Sequence, residues 1–315
     1  PPLAPPLAPM PLAPARLAAI LLAYFLIYVV WGSTYYVIGV ALLEIPPFLL
    51  GAWRFSIAGL VLLILCALRG ERIFAPQLLR RSAVSGIVLL FVDMAVIMLA
   101  QRYISSSLVA ILASSTAIWI MLLDLPERRR SGCRPRAVAG LLIGFAGVAA
   151  LYAEQLLADS RTAGQGTRGI LLLIAGCISW ALGTLYAKYR SPGTETRNTF
   201  AGAGWQMIFA AGMFWAGAAL TGESLSPTEL STAARISLLY LIFAGSLLAY
   251  TAYIWLLSVR PAAEVATHAY VNPVVAILLG LTLGHESVSP LQIIGLIVIL
   301  TGVLLIELPH SRSRT

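Results

Sequence analysis

Ten apolar runs, separated by short segments that collect almost all the charge, dominate this chain. They extend from Leu17 to Val40, Phe48 to Leu68, Ser82 to Ala100, Ser105 to Leu123, Ala137 to Ala153, Gly169 to Lys188, Phe200 to Leu220, Arg235 to Ser258, Ala263 to Leu283 and Leu291 to Glu307. A helix crosses a bilayer with roughly 20 mostly apolar residues, and each run meets that requirement. Only 11% of the residues are charged, and the mean hydropathy is +0.89. A single water-soluble core has no room for that much apolar surface. The pattern predicts an all-α membrane protein of ten transmembrane helices, with the lipid bilayer as its solvent.

The basic residues report topology. With the N-terminus inside, sixteen of the 21 Lys and Arg residues fall in inside segments, four (Arg102, Arg161, Arg168 and Arg235) fall outside, and Arg54 alone lies within a span. That bias predicts two cytoplasmic ends. Because the arginines sit between apolar runs, no nucleic-acid partner follows from the net charge of +8. Cys66 and Cys177 lie in apolar runs and Cys133 in a basic loop, so neither a disulfide framework nor a metal site is expected. Residues 1–15 read as an extended proline-rich tail or an appended stretch, outside the fold in either case.

Two halves are weak copies of each other. Trp31, Thr34 and Tyr36 match Trp180, Thr184 and Tyr186 with one residue inserted, Trp53 and Arg54 match Trp205 and Gln206, and Gly140 and Gly147 match Gly295 and Gly302. The expected organisation is a first five-helix repeat (16–153), an outside linker (154–168), a second repeat (169–308) and a short tail (309–315). Five spans is an odd number, so the second copy enters the membrane inverted, an arrangement common in secondary transporters.

The segment NPVVAILLGLTLGHESVSPLQIIGLIVILTGV, Asn272 to Val303, resembles the closing signature of EamA-type proteins in the drug/metabolite transporter (DMT) superfamily, and WGSTYYVI, Trp31 to Ile38, resembles the opening one. AYVNPVVA and GCISWALGTLYAKY, Gly176 to Tyr189, are similar to the YedA branch. The resemblance covers everything after Arg16. It implies the EamA/DMT fold, a bacterial inner-membrane location and, through YddG-type amino acid exporters, a central cavity built from the first, third, fourth, sixth, eighth and ninth spans. The family's fourth span often carries a mid-helix proline, whose place here falls near Thr116.

Several side chains are candidates to line such a cavity. Tyr24, Tyr28, Trp31 and Tyr35 are spaced by four, three and four residues and share one helix face with Thr34 close by; the alternative for such a stripe is packing. Trp180 and Thr184 repeat the spacing in the sixth span, and Tyr250 and Tyr253 lie three apart in the eighth. Ser114, Ser115 and Trp119 are the fourth-span candidates, with close helix packing as the competing role for the serines. In the ninth span Pro273 is expected to kink the helix as a hinge, beside Asn272, Tyr270 and His268, the last of which also fits a purely structural hydrogen bond. Arg54 and Asp93 lie at matching depth, about 10–12 Å from the outer ends at 1.5 Å per residue. They are expected to form an intramembrane ion pair, either purely structural or with Asp93 holding a substrate amine or a proton.

Other functions fit poorly. There is no GxSG or HExxH, and the three histidines are scattered, so neither an enzyme nor a cofactor is expected. One Asn-Pro does not make an aquaporin-like channel. The expected activity is export of a small amphipathic molecule, an amino acid or, alternatively, a lipophilic cation. Facilitated diffusion is favoured over proton antiport if Arg54 keeps Asp93 charged. A monomer is compatible with the pattern.

Overall fold

The computed structural model describes residues 14–124, 135–159, 165–190, 199–226, 230–260, 265 and 267–307. Among these the structure is helical without strands. The helices are α1 (14–41), α2 (Pro47–Leu68), α3 (Pro76–Ala100), α4 (106–123), α5 (Pro135–Asp159), α6 (Gln165–Arg190), α7 (Thr199–Thr221), α8 (Thr232–Val259), α9 (His268–Thr282) and α10 (Pro290–Glu307). Six helical segments are long and apolar enough to cross a membrane: Arg16–Ala41, Pro47–Leu68, Pro76–Ala100, Gly166–Tyr186, Thr199–Thr221 and Thr232–Val259. Shorter apolar helices lie in α4, α5, α9 and α10. Leu21, Leu22, Phe25, Leu60, Leu68, Leu220 and Leu278 are exposed on the outside, which suits a hydrocarbon solvent.

The helices begin where the sequence supplies a start. Pro47 and Pro76 occupy the first turns of α2 and α3, where a missing N–H costs nothing. Ser105 and Ser231 cap α4 and α8, accepting hydrogen bonds from Leu108 N (3.3 Å) and Ala234 N (3.2 Å). Several helices outrun the apolar runs: α1 begins inside the stretch read as a tail, α3 and α8 begin earlier, and α5 and α6 extend into the stretch read as a linker. The start at Ala263 for the ninth span lies outside the described residues.

The regular ladder is broken where polar chemistry collects. Wider π-helical turns occupy Leu26–Val30 of α1, Gly86–Val92 of α3 and Leu241–Tyr250 of α8. α4 is interrupted at Ser114 and Ser115 without a proline. Ser114 N shares the carbonyls of Ala110 and Ile111, both at 3.2 Å, and Ser115 N takes that of Leu112 at 3.0 Å. The hydroxyls of Ser114 and Thr116 bond back to Ile111 O (2.6 Å) and Ala113 O (2.7 Å), a local competition that loosens a helix. The interruption thus coincides with side-chain hydroxyls that compete for the helix's own carbonyls.

Packing follows the internal match. Helix α2 lies along α7, and α5 along α10, so each pairs with its own counterpart. The pairings α1–α8 and α1–α9 are echoed by α6–α3 and α6–α4. At the α5–α10 joint the backbones touch: a side chain at Gly302 would meet Gly140 O at 2.6 Å, and one at Gly147 would meet Gly295 O at 3.2 Å. Those are the glycines that close each half in the sequence.

Candidate functional site

The centre of the bundle is an aromatic cluster drawn from four helices. Trp31 of α1 has ring neighbours Trp180 of α6 (5.8 Å between centroids), Tyr250 and Tyr253 of α8 (6.4 and 5.1 Å) and His268 of α9 (5.3 Å). Tyr253 also meets Trp180 and His268, each at 5.8 Å. All of these except the half-buried His268 are buried. Tilted and edge-on rings at these separations attract one another, and a cluster deep inside is not an interfacial belt. Tyr28, one turn back from Trp31, is half-buried, packs on Tyr24 (5.5 Å) and shares a hydrogen bond with Thr267 (2.6 Å). Thr184 lies beside Tyr253.

One helical turn from these rings is a layer that carries charge. Tyr35 follows Trp31 on α1, Cys177 precedes Trp180 on α6, and Ser246 precedes Tyr250 on α8. Asp93 of α3, only 6% exposed, approaches α6 at Gly176, where an added Cβ would stand 3.5 Å from its carboxylate. It also faces Tyr35, Cys177 and Tyr253. Arg54 of α2 is 2% exposed. Its Nε donates to Ser246 Oγ at 2.6 Å, and its Nη1 points at Met94 Sδ at 4.0 Å.

The Arg54–Asp93 ion pair expected from matching depth is therefore not formed. Depth fixes position along a helix but not around it: Arg54 turns toward α8, whereas Asp93 turns toward α6. Met94, the neighbour of Asp93 in sequence, takes the place beside the guanidinium. Among the described residues Asp93 accepts no hydrogen bond, and no carboxylate lies within ion-pair distance of Arg54. An unpaired charge in the middle of a membrane helix costs at least about 2.5–3.5 kcal/mol, and such residues cluster where ions or substrates pass.

Asn272 joins α9 to α1. In the orientation its surroundings require, its side-chain nitrogen donates to the carbonyls of Ile27 (2.9 Å), Tyr28 (3.0 Å) and His268 (3.2 Å). Ile27 and Tyr28 lie in the π-helical turn of α1, which presents their carbonyls sideways. Pro273 lies inside α9 one residue further on. His268 Nδ1 donates to Val265 O at 2.9 Å, which serves the structural role the sequence also allowed.

Not every candidate joins the centre. Trp119 packs edge-on against Phe145 of α5 (5.0 Å). The Ser114 hydroxyl is used within α4, whereas Ser115 faces Cys177. Thr34 is buried, its hydroxyl turned back to Trp31 O at 2.5 Å. The side chain of Tyr270 lies outside the described residues.

Sequence reasoning missed three partners. Gln206 accepts a hydrogen bond from Tyr250, Tyr240 shares one with Ser33 (2.7 Å), and Ser246 holds Arg54. For Gln206 a signal existed, since it is the repeat counterpart of Arg54; it too reaches for α8.

Where α2, α4 and α8 begin, three carboxylates close that end of the bundle. Glu286, in the α9–α10 loop, accepts from Ser106 N (3.1 Å) and Oγ (2.5 Å) and from Ser107 N (3.1 Å) and Oγ (2.6 Å). Gly280 makes room for it, because a Cβ there would lie 2.7 Å from Glu286 Oε2 and 2.5 Å from Ser107 Oγ. Glu223 accepts from Leu49 N (2.9 Å), and Glu44 from Ser231 N (2.7 Å). Helix N-termini favour such anions, and each bond joins one half of the chain to the other.

A multi-helix bundle with lipid-suited outer faces, a polar and aromatic centre and irregular backbone beside that centre fits a membrane transport protein. The chain belongs to the EamA-like transporter family, which matches residues 17–153 and again 167–308. It is 31% identical over 289 residues to YedA of Escherichia coli (strain K12), an uncharacterized inner membrane transporter, covering 91% of this chain and 90% of that one. It is 25% identical to a probable amino-acid metabolite efflux pump of Escherichia coli (strain K12), over 88% of this chain and 91% of the pump. It is also 25% identical to Protein PecM of Dickeya dadantii (strain 3937), over 88% and 89%. A solved structure 21% identical, with a TM-score of 0.63 and coverage of 91% and 96%, shares the fold.

Proposed function

We propose that this chain is a ten-span secondary transporter of the bacterial inner membrane, made of two inverted five-helix repeats (16–153 and 169–308) with both ends cytoplasmic. It exports small amphipathic metabolites, foremost amino acids with apolar or aromatic side chains, by alternating access, as a monomer and without a cofactor. In this reading the carboxylate-closed end faces outward. The observation that carries it is the cluster of Trp31, Trp180, Tyr250, Tyr253 and His268, converging from four helices of both repeats one turn from Asp93. Rings from helices that move relative to one another suit a binding surface exposed alternately to each side. The probable amino-acid metabolite efflux pump among the relatives supports the same substrate.

A second reading, export of lipophilic cations, draws on one observation: a buried carboxylate, without a cation among the described residues, lies next to aromatic faces, which attract cations. The ground for favouring facilitated diffusion falls away with the Arg54–Asp93 pair, so coupling is left to measurement. Proteoliposomes are to be offered labelled amino acids and cationic dyes, with and without an imposed pH gradient. Saturable uptake of leucine or phenylalanine that Trp31→Ala alters is expected. Uptake of dyes alone would replace the amino acid reading, and net accumulation driven by the pH gradient and lost in Asp93→Asn would identify proton exchange.

A further inference from the structure

Arg54 and Asp93 are both buried, Arg54 seven residues after the start of α2 at Pro47 and Asp93 seven before the end of α3 at Ala100, and neither neutralises the other. Arg54 bonds Ser246, one turn from Tyr250 on α8. Asp93 lies against Gly176, one turn from Trp180 on α6. The α1 face spans both: Thr34 Cγ2 and Arg54 Nη2 crowd the same side of Gly245, at 2.9 and 3.3 Å from a Cβ placed there, while Tyr35 faces Asp93. Trp31 is one turn further along that face, among the rings. Three helices therefore agree that the charged layer and the aromatic layer are offset by one turn, about 5.4 Å.

We propose that Arg54 and Asp93 are the two ends of a zwitterion site, Arg54 taking the α-carboxylate and Asp93 the α-ammonium of an amino acid whose side chain enters the aromatic layer. The inference rests on the amino acid reading above and goes further by assigning the two charged groups of the substrate. Two observations support it. Contacts with Ser246, Met94 and the face of the Phe55 ring (4.9 Å) leave the guanidinium without an anion among the described residues, and a guanidinium is shaped to receive a carboxylate through two parallel hydrogen bonds. The Asp93 side chain, 6% exposed, accepts no hydrogen bond from a described residue, which leaves its carboxylate able to take a donor from a ligand. A zwitterion brings both missing counter-charges at once and adds no net charge to the membrane interior. The one-turn offset then sets the side chain toward Trp31, Trp180 and Tyr253, so bulky apolar and aromatic amino acids fit, and short polar ones leave the ring layer unfilled.

The test uses the whole protein in detergent, with tryptophan fluorescence as the binding signal and three ligands that differ only in charge: phenylalanine, phenylalaninamide without the carboxylate, and 3-phenylpropionate without the amine. Phenylalanine is expected to bind about tenfold or more tightly than either analogue, since each lacks one charge-assisted contact. Arg54→Gln should erase its advantage over the amide, and Asp93→Asn its advantage over the acid. The wild-type series decides even if a variant does not fold. Equal binding of all three ligands, or binding of none, overturns the zwitterion site, as does an equal loss for all three ligands in both variants. Tight binding of the amide alone overturns it in favour of a cation site. The amino acid reading is judged separately, by transport in proteoliposomes: leucine or phenylalanine uptake with no charge discrimination in binding would leave that reading standing and remove only this one.

Discussion

Two sets of contacts between the halves, one at each end of the bundle, differ in kind. At the end where α2, α4 and α8 begin, the halves of the chain are joined by carboxylates seated on helix N-termini, through Glu44, Glu223 and Glu286. At the opposite end two of the bonds between halves run from neutral donors to carbonyls. Trp205 Nε1 donates to Ile73 O (2.6 Å) and Ser82 Oγ to Gly202 O (3.2 Å), with Phe74 edge-on to Trp205. Charge-assisted hydrogen bonds are roughly twice as strong as neutral ones. The carboxylate contacts are thus of the stronger kind, and opening the first end requires separating anions from helix ends.

The largest expected effect comes from removing that latch at its most heavily used point. Glu286 serves four donors on Ser106 and Ser107, both buried. Hydrogen bonds to charged groups each contribute about 1.5–3 kcal/mol, so Glu286→Ala should cost about 3 kcal/mol or more in SDS-unfolding measurements. It should also make a cysteine placed at Ser105 react faster with a water-soluble reagent. Unchanged stability and accessibility would dissolve the contrast between the ends.

None of that latch was legible in the sequence, because its partners are about 180 residues apart and a glutamate in a short loop carries no sign of its target. Six spans were legible, since a membrane helix announces itself by length and hydropathy. So was the aromatic face of α1, because Tyr28, Trp31 and Tyr35 follow the helical period. Trp31, Trp180, Tyr253 and His268 each stood out singly, but their convergence did not, as periodicity orders residues around one helix and says nothing of which helix they meet. Arg54 and Asp93 illustrate the same limit: counting along a helix gave each a position on its own span, but not the direction in which its side chain turns. The π-helical turns leave no compositional trace either, since Leu26–Val30 reads as ordinary apolar helix.

A smaller effect is expected at the opposite end. Trp205→Phe keeps an aromatic ring against Phe74 but leaves the Ile73 carbonyl without its indole donor. A neutral hydrogen bond is worth about 1 kcal/mol net, so the variant should lose about that much in the same unfolding assay, clearly less than Glu286→Ala. A loss as large as that of Glu286→Ala would mean that the neutral contact holds the halves as firmly as the anionic one.

The smallest expected effect is the most specific to charge. Glu44 is solvent-exposed, and its carboxylate is held below the ordinary glutamate range by hydrogen bonds from Ser231, with the nearby Arg235 adding to them. A carboxyl whose folded-state pKa is depressed stabilises the folded protein fully above the unfolded-state value, and that contribution disappears as pH falls through the folded-state pKa. Unfolded glutamate titrates near about pH 4.3, so the contribution should be intact at neutral pH and fade on strong acidification. The measurement is the difference in unfolding midpoint between wild type and Glu44→Gln across pH. It should favour wild type slightly at neutral pH, shrink in acid and weaken with added salt, as an exposed charge–dipole contact does. A difference that persists unchanged in acid would show that Glu44 acts through its shape and not its charge, and would remove it from the anionic latch.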